Sequence, residues 1–178
     1  TVQNDTTAPT FGGVTSVTAT GLTSLHVAWN AATDNVTPQN QIVYYVCWNT
    51  SATACTSAFA TNGTSAAGAT SFDIAGLLAN TNYTVVVRAH DTYNNTDTNV
   101  VAITTKTNAD VTAPTFAGNP QVIGATATTL TLQWAQATDN YSPQATLQYL
   151  VCMSTNPATC TGAFAPTVTL TNQLSYTF

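Results

Sequence analysis

The chain has 178 residues, 44% of them apolar and only 5% charged, with a formal net charge of −5. So little charge beside so much apolar character excludes a solvated disordered tail, and the lack of a basic patch excludes nucleic acid as a partner. No apolar run approaches the roughly 18–20 residues that a bilayer-spanning helix needs, so no transmembrane segment is expected.

Thr1 carries neither an initiator Met nor a signal-peptide pattern, so the chain reads as a processed product or a slice of something longer. DTTAPTF (5–11) opens it. In SLHVAW (24–29), Leu25, Val27 and Trp29 alternate with Ser24, His26 and Ala28. After the polar loop ATDNVTPQ (32–39), Ile42, Tyr44, Val46 and Trp48 alternate with Val43, Tyr45 and Cys47. Further on, Tyr83, Val85, Val87 and Ala89 alternate with Thr84, Val86, Arg88 and His90. A period of two over six to eight residues marks strands with one buried face. Short strands broken by Gly, Asn, Asp and Pro turns, in a unit of about 100 residues, predict an all-β sandwich.

At Asp110 the pattern begins again. Shifted by 105 residues, the chain aligns with itself without a gap from Asp5 to Phe59, and 25 of those 55 positions are identical. DTTAPTF meets DVTAPTF (110–116), SLHVAW meets TLTLQW (129–134), YYVCW (44–48) meets YLVCM (149–153), and ATDNVTPQ meets ATDNYSPQ (137–144). So long a period is that of a whole domain rather than a solenoid unit. Two domains in series are expected, 1–109 and 110–178. The second stops early: SFDI (71–74) aligns, after one deletion, with SYTF (175–178), and nothing matches Leu77 to Lys106. A sandwich lacking those strands exposes half a core and an unpaired edge. A slice of a longer array, strands donated by a neighbouring chain, and a half-domain are the three accounts of it.

Cys47/Cys55 and Cys152/Cys160 share one Cys-x7-Cys spacing. Two matched pairs suggest two local disulfides and an oxidising compartment. Zinc is the competing reading, although structural zinc usually shows Cys-x2–4-Cys spacing with four ligands close together.

GLLANTNY (76–83) resembles the tyrosine-corner signature of the fibronectin type III domain, Leu-x-Pro-Gly-Thr-x-Tyr. Leu77, Thr81 and Tyr83 fit, while Ala79 and Asn80 replace Pro-Gly. VVVRAHDTYNNTDT (85–98) is similar to the ending of bacterial secreted members, and TAPTF to their opening. The resemblance implies two immunoglobulin-like (fibronectin type III) β-sandwiches in series, the second lacking strands F and G. It also implies that Trp29 and Tyr44 are core residues and that the Tyr83 hydroxyl bonds a backbone group upstream. Each disulfide would then close the hairpin between strands C and C′.

All seven acidic residues are Asp, and the cations are Arg88 and Lys106 alone. On the type III template the N-terminal segment, the B–C loop and the F–G loop meet at one end. They carry Asp5, Asp34, Asp91 and Asp97, with Asp110 and Asp139 in the equivalent places of the second repeat. Carboxylates so placed repel unless neutralised, and Ca2+ takes six to eight oxygen ligands in flexible geometry. The expected site is Asp5, Asp34 and Asp91 with Asn35 or Asn95 assisting, and Asp110 and Asp139 form a partial second one. Its role would be to pin the interdomain hinge. The competing reading makes Asp and Asn turn formers, whose side chains bond their own backbone.

Intrinsic catalysis is not expected. His90 and Asp91 are adjacent on a strand and so point to opposite faces. His26 lies on a solvent face, no GxSxG, HExxH, P-loop or GxGxxG pattern occurs, and there is no Glu for a glycosidase acid. Seven Asn-x-Ser/Thr sequons are present. The expected function is a non-catalytic structural or adhesive segment of an extracellular or surface stalk or filament, whose partners are neighbouring domains or identical subunits. The alternative is an accessory spacer, or a module binding surface glycans or proteins, of a larger secreted enzyme.

Overall fold

Burial alternates along Leu25–Trp29, whereas the strand Asn82–His90 is buried on both faces from Tyr83 to Val87 and Gln121–Ala125 is exposed throughout in the computed structural model. The structure describes residues 4–162 and 164–178, so the first three residues of the expected 1–109 domain lie outside the described residues. The chain divides into two compact units after Asp110.

In unit 1, β1 (Val14–Ala19), β2 (Leu25–Trp29) and β5 (Ser71–Ile74) form one antiparallel sheet in the order β1-β2-β5. The other is β4-β3-β6-β7, from β3 (Val43–Asn49), β4 (Gly63–Thr64), β6 (Asn82–His90) and β7 (Ala102–Lys106). Of the residues expected to face inward, Trp48 is only half-buried and the others are buried, while Cys47, Thr84 and Val86, expected on a wet face, are buried as well. Leu25, Val27, Tyr44, Val46, Val85, Val87 and Ala89 are fully buried, with Trp29 beside them. Each large apolar side chain removed from water contributes about 1.5–3 kcal/mol.

The tyrosine corner forms. Tyr83 is buried and its hydroxyl accepts the Leu78 amide at 3.1 Å. Asn80 adopts φ 52°, the left-handed conformation that Asn tolerates best after Gly, so it takes the family's glycine position without abolishing the turn.

Both cysteine pairs are disulfides. Cys47 on β3 meets Cys55 on a one-turn helix, α1 (Thr53–Thr56), so the bridge ties the strand to its own connection rather than joining two strands. Closing nine residues stabilises by about 2–3 kcal/mol in the chain-entropy model. Both sulfurs are buried against Val86, with Phe59 packed alongside, in a small cluster separate from the main core.

Unit 2 repeats the first half of this plan. β8 (Gln121–Ala125), β9 (Leu130–Gln133) and β12 (Ser175–Thr177) form one sheet, with β9 central. β10 (Gln148–Val151) and β11 (Val168–Thr171) form a two-stranded one, and Cys152 bonds to Cys160 on α2 (Pro157–Thr161). Its core is Trp134, Ala137, Leu147, Tyr149 and Leu170. An apolar groove of about 390 Å³ opens beside it, lined by Phe116, Leu132, Trp134, Tyr149, Val151 and Phe164 among others.

Candidate metal centre

Three aspartates of unit 1 each begin a turn by accepting backbone N–H groups a few residues on, the Asx habit. Asp5 Oδ1 accepts the Thr7 amide at 3.0 Å. Asp34 Oδ1 accepts those of Val36 and Thr37 at 3.0 and 2.8 Å. Asp91 Oδ1 accepts those of Tyr93 and Asn95 at 2.9 and 2.7 Å.

Tertiary bonds then bring the three turns together. Thr10 and Thr33 exchange backbone hydrogen bonds at 2.8 and 3.1 Å, laying the opening segment along the ATDN loop. The buried Ala32 amide donates to the Tyr44 hydroxyl at 2.7 Å, fixing that loop to the core. Thr37 and Thr92 share a hydroxyl bond of 3.0 Å, joining it to the loop after β6. Asn35 Nδ2 donates to Asp5 Oδ1, and Asn95 Nδ2 donates to both the Asp5 carbonyl and Asp91 Oδ2.

One carboxylate oxygen from each of Asp5, Asp34 and Asp91 consequently lies within 4.8 Å of the others. Asp5 is 5% exposed, Asp91 3%, and Asp34 half-buried. Three ionised groups at that spacing repel by roughly 3–4 kcal/mol per pair at an effective dielectric constant of about 20. Among the described residues neither Arg nor Lys pairs with them: Arg88 Nε donates to the Asn99 carbonyl and its guanidinium lies over Phe59. Burial works against ionisation of Asp91. The Asn95 side chain, the Asn95 and Tyr93 amides and nearby His90 outweigh it and hold its pKa below the usual carboxylate value. Oδ2 of Asp5 and Oδ2 of Asp34 are buried and have no hydrogen-bond partner. All donors here are hard oxygens, the set that suits Ca2+ or Mg2+ rather than a thiophilic ion.

The remaining acidic residues go elsewhere. Asp97 stands apart from the three: its Oδ2 accepts the Ala89 amide and its Oδ1 both nitrogens of Asn99, which closes the turn between β6 and β7. Asn35 and Asn95 point amide nitrogens, not oxygens, at the carboxylates. Asp139 repeats the turn of Asp34, accepting the Tyr141 and Ser142 amides at 2.9 and 2.5 Å. Asp110 and Asp139 join no group of three such ligands among the described residues. Asp73, outside the pole, meets His26 across β2 and β5 at 2.6 Å. That pair is exposed and so contributes little. His90 bonds Thr96 at 2.8 Å and lies over Tyr45.

Sequence reasoning placed Tyr44 in the core and missed its hydroxyl. The signal was available, because Tyr149 repeats it and accepts the Ala137 amide at 2.9 Å.

A family model of the fibronectin type III domain matches residues 7–105. Chitinase A1 of Niallia circulans is 35% identical over 179 residues, covering 98% of this chain and 23% of that protein. Exoglucanase B of Cellulomonas fimi is 32% identical over 140 residues, covering 76% of this chain and 12% of that protein. The chain thus spans less than a quarter of the length of these curated relatives. Among solved structures, Chitinase ChiA74 from Bacillus thuringiensis is 24% identical with a TM-score of 0.43, covering 74% of this chain and 17% of that one. The central fibronectin-III array of RIM-binding protein is 20% identical with a TM-score of 0.39, covering 70% and 42%.

Proposed function

The chain belongs to the fibronectin type III family, and from that premise we propose that it is an accessory spacer segment of a larger secreted enzyme that degrades polysaccharide. A fibronectin type III domain is a non-catalytic unit, and so is this segment. The observation that carries the reading is the match over 98% of this chain to 23% of a chitinase. The match to an exoglucanase supports it. Such relatives favour the accessory role over the stalk or filament, because both are named as enzymes. Insoluble glycans must be attacked outside the cell, and two disulfides agree with an oxidising, extracellular setting. Among the described residues no helix is long and apolar enough to cross a membrane. In this role the segment's partners are the neighbouring domains of the same enzyme.

The test is a chitinase catalytic domain joined to a chitin-binding domain, with and without this segment between them. A spacer leaves hydrolysis of soluble chito-oligosaccharides unchanged and raises that of insoluble chitin several-fold. Equal rates on both substrates overturn it, and filaments of the purified segment under the electron microscope reinstate the stalk.

A further inference from the structure

We propose that the pole of unit 1 where the N-terminal segment meets two loops is a Ca2+ site, with the carboxylates of Asp5, Asp34 and Asp91 as its protein ligands. The site does not depend on the spacer reading above.

The first support is the division of labour within each carboxylate. In Asp5 and Asp34 every backbone turn bond falls on Oδ1, leaving Oδ2 buried and unpartnered. Turn formation accounts for one oxygen of each and leaves the other unexplained. A buried acceptor without a partner is rare in a folded protein and points to a bound group. The second support is spacing. Two oxygens bound to one Ca2+ at 2.3–2.6 Å are at most about 5 Å apart, and the three carboxylates offer oxygens within 4.8 Å of one another. The third is charge. Three carboxylates converge with no cationic side chain paired to them among the described residues, and Asp5 and Asp91 are over nine-tenths buried.

Magnesium is the weaker candidate, because it demands a tight octahedron and keeps several waters, whereas calcium accepts irregular oxygen sets. A water molecule alone could satisfy the two Oδ2 atoms, but it would leave the convergent charge in place. The consequence of calcium is a cross-link between segments some thirty and ninety positions apart, since Asp5, Asp34 and Asp91 belong to three separate stretches.

The experiment uses the whole 178-residue chain, stripped with EDTA, then melted in EDTA, in CaCl2 and in MgCl2. Calcium well above its Kd is expected to raise the unit 1 melting temperature by roughly 10 °C. Asp34→Asn retains an oxygen for the turn but loses the charge. It should melt in EDTA at or above the wild-type temperature and bind calcium at least tenfold more weakly. Terbium luminescence sensitised by nearby aromatic rings, displaced by calcium, gives a readout on the wild-type chain should the variant fail to fold. Three results overturn the proposal: no shift with calcium, an undiminished shift in a folded Asp34→Asn, or terbium emission that calcium does not displace. An equal shift with magnesium overturns the assignment to calcium.

Discussion

Trp29 and Trp134 occupy the same position of the two repeats, and both are buried. The Trp29 indole donates to the Ala69 carbonyl at 3.1 Å, whereas Trp134 Nε1 has no partner. Their main chains are held alike, Trp29 by the Thr70 carbonyl and Trp134 by that of Leu174, each at 3.0 Å. The loop preceding the last of these acceptors is one residue shorter in the second repeat. Across the core the contrast widens. Trp29 and Tyr44 belong to a cluster closed by Val85, Val87 and Ala89 of β6, while Trp134 and Tyr149 line an open groove. Unit 2 thus forms its loops and a first sheet in which β12 returns to pair with β9. In unit 1 the core is sealed by Val85, Val87 and Ala89 of β6.

Three experiments break or sharpen that comparison. The largest effect is expected on separating the units. Residues 4–110 should melt cooperatively alone with dispersed NMR amide signals, while 111–178 should show neither and should bind a hydrophobic dye. A cooperative melt of 111–178 would remove the distinction. Next comes an equivalent pair of leucines. Leu25 is fully buried, so Leu25→Ala should destabilise unit 1 by about 2–5 kcal/mol in a denaturant titration. Leu130, only half-buried, leaves little cavity, and its truncation should cost about 1 kcal/mol or less. Smallest is the loss of a hydroxyl. Tyr44→Phe strands the buried Ala32 amide and should cost about 1–3 kcal/mol. Tyr149→Phe should cost less, because Tyr149 and Ala137 line the groove, where water can take over the bond. Equal losses at the two tyrosines would mean that the groove is closed in solution.

Much of this was legible beforehand. Period-two alternation of residue types picks out β2, β3 and β6, although β6 is buried on both faces where Val86 packs against the disulfide. The tyrosine corner could be read from Leu77, Thr81 and Tyr83 despite Asn80, since the left-handed turn asks for a conformation that Asn as well as Gly can adopt. The loop ATDNVTPQ, repeated as ATDNYSPQ, posed a choice between turn and ligand site. The turn is now accounted for residue by residue. Ala32 packs in the core, Thr33 bridges to Thr10, Asp34 caps its own turn, and Pro38 accepts the Gln41 amide at 2.8 Å. The turn takes one oxygen of Asp34 and leaves the other without a partner, so the turn does not by itself exclude a ligand.

Composition, spacing and the internal repeat by themselves determined the all-β class, the two-fold repetition and the cysteine pairs, and the type III resemblance singled out Asp5, Asp34 and Asp91. These depend on local pattern, which a linear chain displays. That Asp5, Asp34 and Asp91 bring oxygens within 4.8 Å of one another, with Asn35 and Asn95 turning amide nitrogens towards them, was decided only by tertiary structure. Asp91 joined Asp5 and Asp34, and Asp97, six residues later, turned back to cap Ala89. Distances between carboxylates in separate loops are set by how two sheets pack and by single bonds such as Ala32 to Tyr44, and no spacing along the chain encodes them.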